Sequence, residues 1–265
     1  MVTQSKKKIL GVIPSKLGSK RFPRKALAPI LGMPMVGHVF FRSNMCKDLD
    51  EVIVATPDKE IADYIKAYKG TVVKTPKGIT DPLSSAAYAA AQFEKETGNK
   101  YDIIVVISGD EPMITNDMVA NAISPLYIED SLQVSCLMCE IANENEIRNP
   151  NEIKVVVDIN NYALYFSREP IPSLKKGIIG LPILKKVNVM PFRRDFLYKL
   201  VEMPPTPLEI TESISILRVL ENGYKVKMVF SEKITYSVDT KEELEKVSEL
   251  LRQDYLTEKY ITPLN

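Results

Sequence analysis

Along the first 130 residues the apolar positions come in two alternating textures. Short unbroken runs rich in β-branched residues occur at 8–14, 51–56, 71–75 and 101–108. Between them lie stretches at 35–45, 59–69 and 84–95 in which apolar side chains recur three or four residues apart. The first pattern is that of a strand covered on both faces and the second that of a helix with one buried stripe. The helix at 59–69 is predicted to end at Gly70. Strand and helix in regular alternation predict an α/β fold, a doubly wound and mostly parallel sheet with helices on both sides.

Beyond residue 130 the texture changes. Strands are predicted at 133–141, 154–158, 162–167, 185–192 and 225–230, with Pro- and Asn-rich loops among the first of them and helices at 194–202 and 209–222. A last helix runs to about residue 253, capped by Asp239 or Thr240 with Glu242 or Glu243 completing a capping box. No internal repeat or low-complexity tract is present. These patterns predict one domain in three parts: the α/β part at 1–130, a smaller mixed α+β lobe at 131–230 and a return segment at 231–265.

Charge sharpens this picture. Lys and Arg number 35 against 34 Asp and Glu, so the chain carries a formal charge of only +1. Yet Lys16, Lys20, Arg21, Arg24 and Lys25 all fall in one short loop directly after the first strand. A near-neutral chain argues against a nucleic-acid partner, which asks for a basic face across a domain. No run approaches the ~20 apolar residues of a membrane span, and the apolar segment after Lys6, Lys7 and Lys8 is broken by Gly11 and Pro14, so neither a membrane partner nor a signal peptide is expected. Three cysteines, an odd number in a chain of this size, fit a reducing cytoplasmic compartment. Cys136 and Cys139 would point to opposite faces of one strand, and His38, the only histidine, lies in an apolar helical stretch. This disfavours a zinc site and a histidine-based triad. GxGxxG and GxxxxGK[ST] are both absent.

Three places remain where chemistry can gather. A strand ending in a loop of small residues and cations suits a chain of phosphates, because backbone N–H groups approach closely while side chains neutralise the oxygens. The same loop also reads as a solvated basic patch. Asp110 follows the strongest strand in Ser108-Gly109-Asp110-Glu111-Pro112, at the edge where ligands collect in such sheets, with Gly109 leaving room; a plain turn has the same composition. Asp239 stands at the start of the last helix, where a cap and a ligand to a metal are compatible roles.

The segments IPSKLGSKRFPRKALAPILGMPMVGHV, SGDEPMI, NPNEIKVVVDINNYALYFSREPIP, PPTPLEITESISILRVLENGYKV and VDTKEELEKV, in that order over nearly the whole chain, resemble the 3-deoxy-manno-octulosonate cytidylyltransferases, the CMP-Kdo synthetases. The resemblance implies a nucleotide-diphospho-sugar transferase-like, Rossmann-like fold and a homodimeric, Mg²⁺-dependent enzyme that joins CTP to a 2-keto sugar acid with release of pyrophosphate. It implies that Pro14, Ser15, Lys16, Ser19, Arg21 and Lys25 hold CTP, that Arg21 and Lys25 act on its β and γ phosphates, and that Asp110 and Asp239 bind the metal. On the acceptor side it implies Ser108, Arg168, Lys186 and Glu209. Arg21, Lys25, Asp110, Arg168 and Asp239 are the expected catalytic set.

The chain departs from the family pattern mainly on that acceptor side. Lys16 stands for an arginine, Ser108 for a glutamine, Pro82 for the arginine of GTDR, Lys186 for a histidine, Met190 for a tyrosine and Ile216 for a glutamine. The acceptor is therefore expected to be Kdo, a modified octulosonate, or another anionic acid such as a phosphonate. A catalytically silent nucleotide-binding homologue or scaffold is the rival reading.

Overall fold

The computed structural model describes residues 7–19, 21–175 and 182–261. Strands β1 (Ile9–Pro14), β2 (Pro29–Ile30), β3 (Met33–Pro34), β4 (Glu51–Thr56), β5 (Thr71–Lys74) and β6 (Ile103–Ile107) come from the first part. β7 (Ser135–Glu140), β8 (Lys154–Val157), β9 (Ala163–Ser167), β10 (Leu184–Val187), β11 (Val189–Arg193) and β12 (Lys227–Ser231) come from the rest. The first sheet has the order β11-β6-β1-β4-β5, parallel throughout except that β11 runs against β6; β2 and β3 form a small separate pair. This is the expected doubly wound, mostly parallel α/β sheet.

Its centre follows from composition. Every residue of β6 is fully buried, as are Ile9, Leu10, Val12 and Ile13 of β1. One face packs on helices Met35–Asn44, Lys59–Ala67 and Asn116–Ile123. The other packs on the alanine-rich helix Pro82–Thr97 and on residues of the second sheet, so a single apolar cluster joins the two sheets.

The second sheet, β12-β7-β10-β8-β9, is antiparallel apart from the parallel pair β12–β7. The strand predicted at 185–192 is in fact two. The Asn188 N–H is taken by Glu111 Oε1 at 3.1 Å and its carbonyl by the Ser108 N–H at 3.0 Å. Pairing with β7 therefore stops at Val187 and pairing with β6 starts at Val189. The first sheet thus gains its edge strand from the region beyond residue 130, and the two parts interleave.

The helix predicted at 209–222 also divides, into Pro207–Glu212 and Leu217–Glu221, because Ser213 takes a left-handed φ of 53°. Gly70 does not supply the left-handed residue that ends Lys59–Ala67; Lys69 does, with φ 59°. Gly70 is demanded instead by proximity, since a Cβ there would sit 2.6 Å from Ile65 Cγ2 and from Phe40 Cζ. His38 is a packed interior residue, bonded to Tyr260 Oη at 2.7 Å and Ile30 O at 2.8 Å. Among the described residues no helix is long and apolar enough to cross a membrane.

Candidate active site

β1 and β6 are hydrogen-bonded parallel neighbours, so the loops that leave their carboxyl ends begin side by side. The Ser15 N–H continues the ladder to Ala55 O at 2.9 Å, the Leu17 N–H donates to Asp58 Oδ2 at 2.8 Å, and the Arg24 N–H closes the loop on Leu17 O at 3.0 Å. A single 3₁₀ turn, Lys25–Leu27, follows. Gly109 lets the second loop pass: a Cβ there would lie 2.9 Å from Pro14 O and 3.0 Å from Ser15 Oγ. The glycine therefore serves the contact between the two loops.

The five loop cations part company. Lys25 and Arg21 turn inward, Lys16 Nζ donates to Thr80 O at 2.9 Å, and Arg24 turns away to pair with both oxygens of Glu60. Lys20 lies outside the described residues. Between the loops opens a cavity of about 240 Å³. Pro14, Ser15, Lys16, Ser19, Arg21, Lys25, Ser108, Asp110 and Asp239, residues from three distant stretches of chain, all line it.

At its centre Lys25 Nζ donates to Asp110 Oδ2 at 2.7 Å, Asp239 Oδ1 at 2.6 Å and Val238 O at 3.0 Å. The other oxygen of Asp239 takes Arg21 Nη2 at 2.5 Å. Bridged by one ammonium, the two carboxylates can be no farther apart than those two short bonds laid end to end. Burial works against ionisation of Asp110, but the charge and hydrogen bond of Lys25, with further hydrogen bonds from Ser108 and the backbone, together outweigh it, and its carboxyl is held below the usual carboxylate range. For Lys25 burial is likewise overcome by Asp110 and Asp239, and its pKa is raised. Next along, Glu111 is pushed up to about 7, by burial first and the Asp110 charge second.

Local structure frees Asp239 for this role. Thr240, not Asp239, caps helix Lys241–Arg252, and Glu243 completes the box by accepting the Thr240 N–H. Asp110 Oδ1 is buried and finds no hydrogen-bond partner among the described residues. Those residues contain no group of three or more His, Cys, Asp or Glu able to hold a metal. Two carboxylates with one spare oxygen suit Mg²⁺, which is commonly held by one or two carboxylates together with phosphate oxygens and water.

The predicted acceptor residues are not gathered in the same way. Ser108 lines the cavity, whereas Arg168, Lys186 and Glu209 do not. Arg168 spends its guanidinium on the carbonyls of Glu212, Pro150 and Ser213, at 2.7, 2.7 and 3.2 Å. It stays close enough for burial and the Arg21 charge to lower its pKa. Lys186 Nζ is turned to Asn188 Oδ1. Glu209 is taken by Arg218 in a two-bond ion pair at 2.5 and 2.7 Å and by the Thr206 capping box. Met190 and Ile216 lie in the apolar cluster between the sheets.

Thr80 and Asp81, which also face the cavity, were not among the expected site residues. Asp81 caps helix Pro82–Thr97 through the Ser84 N–H, and Pro82 fills its first turn, where a missing N–H costs nothing. The Thr-Asp-Pro signature marks that helix start, but only the fold brings it opposite Lys16.

Comparison with known proteins agrees with this geometry. The family model described as "Cytidylyltransferase" matches residues 10–258. The 3-deoxy-manno-octulosonate cytidylyltransferase of Geobacter metallireducens is 39% identical, covering 92% of this chain and 98% of that protein. The mitochondrial protein of the same name from Arabidopsis thaliana is 34% identical over 93% of this chain and 84% of its own length. A solved structure of CMP:2-keto-3-deoxy-manno-octonic acid synthetase complexed with CTP aligns with a TM-score of 0.82 at 32% identity, covering 93% of this chain and 99% of that one. The 4-diphosphocytidyl-2C-methyl-D-erythritol synthase of Anaerococcus prevotii shares the fold, with a TM-score of 0.59 at 14% identity. With the cation loop, Asp110 and Asp239 assembled on one cavity, the chain belongs to the cytidylyltransferase family and, within it, to the 3-deoxy-manno-octulosonate cytidylyltransferases.

Proposed function

We propose that the protein transfers the cytidylyl group of CTP to a 2-keto-3-deoxy sugar acid, Kdo or a close relative of it, giving the CMP-sugar and pyrophosphate. The observation that carries this reading is the convergence of Arg21 and Lys25 with Asp110 and Asp239 on one cavity at the carboxyl edge of the sheet. The relatives named for this reaction and the CTP-bound neighbour support it.

The chemistry is one displacement. The anomeric hydroxyl oxygen of the acid forms a bond to the α-phosphorus while the bond from that phosphorus to the bridging oxygen breaks, so pyrophosphate leaves and the hydroxyl proton passes to solvent. Two anions must meet, and cations that meet the leaving charge lower the barrier. In this reading Ser15 and Lys16 approach the triphosphate from the β1 loop, and Arg21 and Lys25 neutralise its β and γ oxygens. Asp110 and Asp239 hold Mg²⁺, which when bound supplies charge neutralisation at the phosphates. Arg168, fixed by three carbonyls, contributes a positive field toward the acid without needing to move.

The protein would work as a homodimer in the cytoplasm. Supporting the first is the apolar Leu164, 63% exposed on edge strand β9, and supporting the second are three buried free cysteines. The test is pyrophosphate release from CTP, Mg²⁺ and a panel of 2-keto sugar acids, with ATP, GTP and UTP as alternative donors. Asp110→Asn should lower turnover by about a hundredfold or more. Release from none of the acids, or near-normal turnover by the variant, refutes the reading.

A further inference from the structure

Glu243 makes more bonds than a helix cap needs. Its Oε2 accepts the N–H groups of Asp239 at 2.6 Å and Thr240 at 3.0 Å, while its Oε1 accepts Asn149 Nδ2 at 3.3 Å and Asn151 Nδ2 at 3.4 Å. The capping box accounts for the Thr240 bond alone. The two asparagines belong to the loop 149–152, and that loop is fastened to the acceptor side. Arg168 Nη1 donates to Pro150 O at 2.7 Å. Lys154, fully buried, spends its ammonium on the carbonyls of Asn149, Glu152 and Arg168, at 3.0, 2.7 and 2.5 Å. Asn149 Oδ1 accepts the Asn151 N–H at 2.9 Å, which fixes the Asn149 amide with its Nδ2 toward Glu243.

Between this loop and the start of helix Lys241–Arg252 lies a cavity of about 210 Å³, lined by Asn149, Glu152, Tyr236 and Glu243 among others. Across that gap the loop is joined to the helix by hydrogen bonds through the Glu243 carboxylate, and the helix Glu144–Arg148 just before the loop by the Lys246–Glu146 ion pair at 2.7 Å. We infer that Glu243 is a positioning residue: it sets Asp239, and through the loop 149–152 it sets Arg168, so the metal side and the acceptor side of the site share one register. This rests on the cytidylyltransferase reading for its consequence in turnover and not for its geometry.

Glu243→Gln separates the link from the cap. Glutamine serves equally well in a capping box, but its amide nitrogen faces the two asparagine donors and cannot accept from them. In E243Q, hydrogen exchange of the Asn149, Asn151 and Glu152 amides should speed up about tenfold, with helix Lys241–Arg252 still protected. The KM for the acid should rise about tenfold while the KM for CTP stays within about twofold. Thr240→Ala, which loses the other half of the box and keeps all four carboxylate bonds, should lower the melting temperature without either effect. E243Q/N149D returns an acceptor to face the new amide and should restore the KM for the acid. Wild-type exchange of 149–152 in E243Q, an equal rise in both KM values, or the same KM split in T240A overturns the inference. A wild-type protein that turns over no acid at all removes the enzymatic reading instead, and the exchange measurements still decide whether Glu243 couples the two elements.

Discussion

Lys25 is the residue whose removal is most informative, because its ammonium separates two carboxylates that otherwise face each other. Lys25→Met keeps the length of the side chain and deletes the charge. With side-chain exposures of 14% for Lys25, 22% for Asp110 and 11% for Asp239, the triad is neither fully buried nor free in water. Removing one partner of a buried pair costs about 3–5 kcal/mol, and partial exposure places this case at the low end, about 3 kcal/mol. In a chain of this size that lowers the melting temperature by about 8 °C.

The sign of the pH dependence then reverses. In the native protein Asp110 is held below its unfolded pKa, so its contribution is present above about pH 3.8 and lost as the pH falls through the folded value. Lys25 is raised, so its contribution is complete below about pH 10.5 and lost above the folded value. Without Lys25 the burial of Asp110 is opposed only by hydrogen bonds from Ser108 and from the backbone, and its pKa is expected to rise above the unfolded one, so the variant should lose stability as the pH increases. The gap between the two proteins should therefore be wide at pH 8 and narrow toward pH 5. In EDTA the melting difference should be full size; added Mg²⁺ should close much of it by supplying a cation to the same two oxygens, and K25M/D110N should lose that response. Turnover by K25M should fall about a hundredfold or more. Equal melting of K25M and the native protein in EDTA, or a Mg²⁺ response that survives in K25M/D110N, refutes the electrostatic argument.

Gly109→Ala would drive a Cβ to 2.9 Å from Pro14 O, a backbone atom that cannot step aside without moving the end of β1. A loss of about 1–3 kcal/mol and at least tenfold weaker CTP binding by calorimetry are expected, and native affinity would show that the contact between the two loops does not shape the site. His38 is pushed down to about 4, chiefly by its burial. Because its folded pKa lies below the unfolded 6.5, the stability it contributes is present above pH 6.5 and lost as the pH falls toward 4, about 3 kcal/mol in all. As the only histidine its imidazole resonance is unambiguous, and a titration midpoint near 6.5 would contradict that burial.

What the sequence disclosed and what it withheld have physical causes. β1, β4 and β6 are legible because strands covered on both faces must be apolar throughout, and their parallel order places the ends of β1 and β6 together without further information. The break at Asn188 is not legible: Val187 and Val189 are both apolar, and the interruption is made by a carboxylate 77 positions away. Asp239 and Thr240 are equally good caps by residue type. The choice falls to Thr240 because Lys25 and Arg21, more than 200 residues earlier, draw the Asp239 side chain toward themselves. Glu209 resembles an acceptor contact until the chain turns at Ser213 and brings Arg218 onto it. In the first two cases the missing information is a polar contact across a long stretch of chain, and in the third a polar contact made around a turn; neither leaves a period in the sequence.

Those same contacts bear on the choice of acceptor. Met190, 6% exposed, and Ile216, 1% exposed, sit in the apolar cluster between the sheets, where neither offers a hydrogen bond to a sugar hydroxyl. Glu209 is consumed by Arg218, and the Lys186 ammonium by Asn188. A site that hydrogen-bonds a hydroxyl rejects an analogue lacking it by several orders of magnitude, because a buried partner is left unpaired; an apolar wall distinguishes the two far less. Acids that share the carboxylate and anomeric hydroxyl but differ in their remaining hydroxyls should therefore be used with kcat/KM values within about tenfold of one another. A preference of about a thousandfold for one of them would mean that other polar groups read the sugar, and the argument from the apolar Met190 and Ile216 and the engaged Glu209 and Lys186 would fail.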